Sequence, residues 1–194
     1  MKTSPTKLES ARFPNSSGVT LRVVSIHDGF TGAVYAQVAA ESISEAVGQG
    51  TGVQWKALSF DMLSRLDLRH DSIHEASHAD VIIVSTFACG SLPTHVRSWV
   101  TACLQRSEYG LPVIVALHPE LSFESEKVHP LCEFLSKATA VWQTDLLCNR
   151  DFDGQLENGL AAKLLERRKN RDGRAGCMYS AVKAESSFGW GINE

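Results

Sequence analysis

The sequence predicts an α/β domain, a doubly wound five-stranded parallel sheet inside a three-layer α/β/α sandwich. Three observations carry this expectation. The first is the run Asp80-Val81-Ile82-Ile83-Val84-Ser85-Thr86, whose four consecutive aliphatics call for a strand buried on both faces, as in the middle of a parallel sheet. The second is the order of elements, five rounds of strand then helix. Each crossover must return the chain to the same edge, which forces parallel pairing, and right-handed crossovers put helices on both faces. The third is size: 194 residues at 43% hydrophobic content can bury roughly 70% of the unfolded chain's surface, enough for one self-sufficient core.

Val19 to Ile26 (VTLRVVSI) is rich in β-branched residues, follows Gly18 and precedes Gly29, and reads as the first strand. The turn Asp28-Gly29-Phe30-Thr31-Gly32 leads into a helix over Ala33 to Val47, where Val34, Val38, Ile43, Ala46 and Val47 recur at helical spacing. Gly48, Gly50 and Gly52 end that helix, and Val53 to Phe60 is the second strand. Asp61 to Ala79 is polar and weakly helical. The third strand is the aliphatic run above, followed by a loop from Phe87 to Ser91. Pro93 then suits the first turn of a helix whose Val96, Trp99, Val100, Cys103 and Leu104 form one apolar stripe. Leu111 to Leu117 is the fourth strand, and Pro130 begins a short helix carrying Leu131, Leu135 and Ala138. Thr139 to Thr144 is the expected fifth strand, and Leu156, Leu160, Ala161, Leu164 and Leu165 mark a last helix. The domain is expected to span 19–168, between a polar leader, 1–18, and a Gly- and Ser-rich irregular tail, 169–194. The tail's Phe188, Trp190 and Ile192 are expected to dock on the domain or on a partner.

Composition narrows the function classes. A formal net charge of −3 with 21% charged residues argues against nucleic acid, whose binding leaves a basic stripe or face. The basic cluster Arg167, Arg168, Lys169, Arg171 and Arg174 follows the last helix, where cations complement the helix dipole. Five scattered cysteines, odd in number and never spaced as Cys-x-x-Cys, suggest reduced thiols. No apolar run approaches the roughly 18 residues of a membrane span, and the polar leader lacks a signal peptide's apolar core. A cytoplasmic protein without nucleic-acid or membrane contacts is expected.

In an open doubly wound sheet, ligands bind outside the carboxyl ends of the strands where strand order reverses. Those ends carry His27 and Asp28, Phe60 and Asp61, Ser85 to Ser91, His118 and Pro119, and Thr144 and Asp145. The first loop is built like an anion cradle: Gly29 and Gly32 permit close backbone approach, Thr31 offers a hydroxyl, and the following helix directs N–H groups upward. The bland reading is a glycine-eased turn capped by Asp28 or Thr31. Neither Gly-x-Gly-x-x-Gly nor a P-loop is present, so no motif supports NAD or ATP.

The third-strand loop, Cys89-Gly90-Ser91-Leu92-Pro93 followed by Val96-Arg97, resembles the loop and helix that cover the flavin ring in NADPH-dependent FMN reductases and their flavodoxin-like relatives. Thr31-Gly32 likewise resembles the Thr-Gly of the flavodoxin phosphate loop. The resemblance implies a flavodoxin-like strand order of 2-1-3-4-5 with FMN in the crevice after strands one and three. Thr31, Gly32 and Ala33 would then hold the phosphate, and Phe87, Ala88, Cys89, Gly90 and Ser91 would flank the ring. It also implies a homodimer. The chain departs from the family where Gly29 and Val34 replace phosphate-binding hydroxyl residues, where Ala88 and Cys89 replace an aromatic and an Asn, and where Asp28 puts a carboxylate at the mouth of the loop.

Two functional readings follow: an FMN-dependent oxidoreductase, in which the flavin would carry the electrons, and a cofactor-free binding or scaffold module on the same fold. A Gly32 replacement by a bulky residue should abolish flavin binding in the first reading and leave the fold intact. A thiol or hydroxyl enzyme is a third possibility, with Cys89 or Ser85 as nucleophile, His118 or His27 as base and Asp145 or Asp28 as orienting acid, although no nucleophile elbow is present. His70, His74 and His78 recur every fourth residue and would form a helix stripe that nothing nearby completes as a metal site.

Overall fold

The computed structural model describes residues 19–48, 51–88, 90–107, 110–118, 128–149 and 159–170. The leader, Cys89 and the tail beyond residue 170 lie outside the described residues. Strands β1 (Thr20–His27), β2 (Gly52–Ser59), β3 (Val81–Ser85), β4 (Val113–Leu117) and β5 (Leu146–Cys148) form one parallel sheet in the order β2-β1-β3-β4-β5. This is the flavodoxin-like arrangement, with the order reversing between β1 and β3.

Because side chains alternate across each strand, the sheet buries two cores. On one face Leu21, Val23, Val53, Trp55, Val81, Ile83, Val113 and Val115 pack against helix α1 (Phe30–Val47) and against α6, a helix over 160–170 that contributes Leu160, Ala161 and Leu164. On the other face Val24, Ile26, Ile82, Val84, Ile114 and Ala116 meet α2 (Phe60–Ser64), α3 (Leu66–Ala76), α4 (Thr94–Gln105) and α5 (Pro130–Trp142). The apolar stripe expected on α4 is buried in full: Val96, Trp99, Val100, Cys103 and Leu104. Two buried indoles satisfy their N–H groups within the core, Trp55 Nε1 donating to Ser25 Oγ at 3.0 Å and Trp99 Nε1 to Ser72 Oγ at 2.8 Å.

Two local expectations need correction. The expected strand over Thr139 to Thr144 is the end of α5, which runs to Trp142 and stops at Gln143 in the left-handed region at φ 51°. Thr139 is held in the helix by donating its hydroxyl to Leu135 O at 2.8 Å, so its β-branch does not end the helix. The fifth strand is the three-residue Leu146–Cys148, too short to show a period.

The second correction concerns α1. Its buried face is Gly32, Ala36, Ala39, Ala40, Ile43 and Val47, whereas Val34 and Val38, expected inward, are 41% and 54% exposed. Small residues let this helix sit close to the sheet, and the larger apolar side chains Phe30, Val34, Tyr35 and Val38 are left on the outside. Among the described residues no helix is long and apolar enough to cross a membrane.

Candidate functional site

The crevice at the carboxyl ends of β1 and β3 is organised by Asp28. Its N–H donates to Ser85 O at 3.3 Å, carrying the β1–β3 ladder one residue beyond the strand ends. Its side chain then crosses the crevice. Asp28 Oδ2 accepts from Thr86 Oγ1 at 2.6 Å, from Phe87 N at 2.7 Å and from Ala88 N at 2.9 Å. Successive backbone N–H groups converging on one oxygen make an anion nest, and here the anion is the chain's own carboxylate.

The other edge of the carboxylate lies over the first turn of α1. A Cβ built on Gly32 would stand 2.8 Å from Asp28 Oδ1, 3.2 Å from Ser85 O and 3.3 Å from His27 Cβ. Gly32 is therefore the close-approach residue of the loop, fitted between its own helix and the end of β3. A side chain there would press on the Ser85 carbonyl as well as on Asp28, so a bulky Gly32 replacement would strain this loop as well as fill it. Gly29 is extended at φ 170° with open space around its α-carbon. It is the N-cap of α1, and neither Asp28 nor Thr31 caps the helix with its side chain.

The residues expected to hold a flavin phosphate are only partly free to do so. Thr31 is exposed and Gly32 is buried. Ala33 already donates its N–H to Gly29 O at 2.9 Å as the first hydrogen bond of α1. Of the expected ring-flanking residues, Phe87 and Ala88 donate their N–H groups to Asp28, Gly90 and Ser91 are exposed, and Cys89 lies outside the described residues. A phosphate dianion brought to this loop would meet a carboxylate that already holds the hydroxyl and two N–H groups of the facing loop. The donor set as it stands does not fit that group.

His27 sits directly below. It is 5% exposed, donates Nδ1–H to Gly29 O at 3.0 Å, and is paired in the sheet with Ser85. His27 Nε2 and Ser85 Oγ are both buried with no hydrogen-bond partner among the described residues, so the two do not bond to each other as a base and nucleophile would. The remaining members of the expected triad are engaged elsewhere. Asp145 accepts from Arg167 Nη2 at 2.7 Å, and His118 stacks on His129 with centroids 4.4 Å apart.

That histidine pair forms a second corner, at the carboxyl end of β4. His129 is the N-cap of α5, its ring accepting from Leu131 N at 3.2 Å. Asn149, immediately after β5, grips the His118 backbone, accepting its N–H at 3.0 Å and donating Nδ2–H to its carbonyl. Sequence reasoning placed His118 but missed His129 and Asn149, which come from other elements and carry no local motif. His74 and His78 meet edge to face at 5.2 Å, and among the described residues no three His, Cys, Asp or Glu side chains converge as a metal site.

Burial lowers the pKa of His27 below 6.5, against the raising effects of its bond to Gly29 and the charge of Asp28; burial, with His118 nearby, lowers that of His129. Both therefore stay neutral in the folded protein at pH values where the unfolded chain takes up protons. Their contribution to stability is whole above the unfolded value near 6.5 and is lost as pH falls from there through the folded values. Thermal melts are expected to be flat above about pH 7.5 and to fall steadily below about 6.5, by at most about 1.4 kcal/mol per pH unit for each histidine. His27→Gln should remove one histidine's share of that slope, and an unchanged slope would contradict the assignment.

No known family model matches the chain, and no curated protein matches it, so its function must be argued from the geometry of the crevice and its surroundings.

Proposed function

We propose that this chain is a cofactor-independent, flavodoxin-like binding module that pairs with a second copy of itself through the outer face of α1. The observation that carries the reading is the seat of Asp28: the anion nest at the switch point is satisfied from within by three hydrogen bonds. A site built to receive phosphate would keep those donors for the ligand.

The binding surface is the inverted amphipathicity of α1. Phe30, Val34 and Val38 recur every fourth residue on the side away from the sheet, and Phe30 is 86% exposed. Beside them the Tyr35 ring lies 4.6 Å from that of Phe87, which extends the apolar surface to the crevice mouth. An exposed patch of this kind marks an interaction site. Under a two-fold axis through Val34, the large Phe30 of one copy faces the smaller Val38 of the other, so the stripe complements itself in size.

The test is a titration with FMN followed by flavin fluorescence, set beside riboflavin, together with sedimentation over a range of protein concentration. The expected result is no phosphate-dependent flavin binding and a monomer–dimer equilibrium that Val34→Glu abolishes. Tight binding that depends on the phosphate would overturn the cofactor-independent reading and favour the FMN oxidoreductase, with Asp28 displaced. A monomer at every concentration would remove the second copy as partner.

A further inference from the structure

We propose that Cys132 and Cys148 are a redox dithiol that closes to an intramolecular disulfide when the protein meets a hydroperoxide. The two sulfurs lie 2.8 Å apart although they come from different elements, Cys132 from α5 and Cys148 from the end of β5. Such proximity across the fold places each sulfur within direct reach of the other.

The surroundings divide the roles. Cys148 is half-buried whereas Cys132 is 8% exposed, so Cys148 is the more accessible of the two. Cys132 lies two residues after Pro130, in the first turn of α5, where the N–H groups and the helix dipole favour negative charge on its sulfur. Its acidic neighbour Glu133 turns away to Lys137, whose Nζ is 2.6 Å from Glu133 Oε1. Cys103 lacks these features: it is fully buried in the core under α4, and burial pushes its pKa far up.

The reaction balances as two substitutions at sulfur. The Cys148 sulfur attacks one oxygen of hydrogen peroxide, the O–O bond breaks, and the departing hydroxide takes up the proton from Cys148, so that a sulfenic acid and water form. The Cys132 sulfur then attacks the sulfenyl sulfur, the S–S bond forms as the S–O bond breaks, and the departing hydroxide leaves as a second water with the proton from Cys132. Two thiols are oxidised by two electrons and one hydroperoxide is reduced. The cross-link ties the short edge strand β5 to α5 immediately before Asn149, the residue that holds the His118 backbone. Oxidation would therefore fix the corner at the carboxyl end of β4.

The experiment is treatment of the full-length protein with hydrogen peroxide, then alkylation of remaining thiols and non-reducing peptide mapping by mass spectrometry. A Cys132–Cys148 linked peptide and a melting temperature raised by several degrees are expected. In Cys132→Ser the reaction should stop at a sulfenic acid on Cys148 that a dimedone probe labels, and in Cys148→Ser the buried Cys132 should stay a thiol under the same treatment. Recovery of both residues as alkylated thiols from the treated wild-type protein, or accumulation of sulfinic acid on Cys148 without a linked peptide, would overturn the proposal.

Discussion

Replacing Asp80 with alanine is expected to lower stability by about 3 kcal/mol, the largest loss from any single charged residue among the described residues. Asp80 is almost fully buried just before β3, where its N–H donates to Arg22 O and its carbonyl accepts from Val113 N, so it bridges β1 to β4. Its carboxylate accepts the Arg22 N–H at 2.8 Å and lies 3.8 Å from Nη1 of Arg168, itself largely buried on α6. Alanine takes a buried acceptor from the Arg22 N–H and a carboxylate from beside a guanidinium whose side chain is only 13% exposed. A loss of this size corresponds to a melting temperature lower by about 6–12 °C. Asp80→Asn keeps an acceptor for Arg22 while losing the charge and should cost about half as much. Urea unfolding of the two variants checks both figures, and equal losses would show that the charge contributes nothing. The same ion pair revises the reading of the basic cluster. Arg168 fastens α6 to the amino end of the sheet and Arg167 bonds Asp145, so at least two of its members are anchors as well as helix-end charges.

The largest functional effect is expected from Asp28→Ala. Removing the carboxylate frees the Thr86 hydroxyl and the N–H groups of Phe87 and Ala88, and leaves Gly32 with open space where Oδ1 had been. Stability should fall by about 1–3 kcal/mol, since Ala88 is exposed and Phe87 half-buried, so water can reach their N–H groups, whereas the buried Thr86 hydroxyl loses its acceptor. The freed nest is then expected to take an external anion. Inorganic phosphate should bind with a dissociation constant of about a millimolar, roughly −4 kcal/mol, where the wild-type protein binds none. Calorimetry on both proteins distinguishes the outcomes. A variant that ignores phosphate would mean that the nest exists only because Asp28 draws the loop together.

How much of this was legible in the sequence depended on the range of the interaction. The buried runs of β3 and β4 announced themselves because strands covered on both faces leave no polar positions, and the order of elements then dictated parallel pairing. The face of α1 was misread because periodicity counts large apolar residues, whereas this helix packs through glycine and alanine. β5 was invisible because three residues have no period, and the β-branched residues near the end of α5 imitated a strand in its place. The switch-point rule directed attention to the loops after β1 and β3, and the sequence showed that Asp28 stood at the mouth of the first. What it could not show was that the carboxylate would reach Thr86, Phe87 and Ala88, 58 to 60 residues away, instead of capping its own helix. Arg168 with Asp80 and Cys132 with Cys148 were hidden for the same reason.

The most direct test of the central claim, that the nest is closed by the chain's own carboxylate, is addition of phosphate followed on the backbone amide resonances of Phe87 and Ala88. Both amides are expected to ignore phosphate in the wild-type protein and to shift together with it in Asp28→Ala. Wild-type amides that move on addition of phosphate would contradict the account, since the nest would then be open to an external anion.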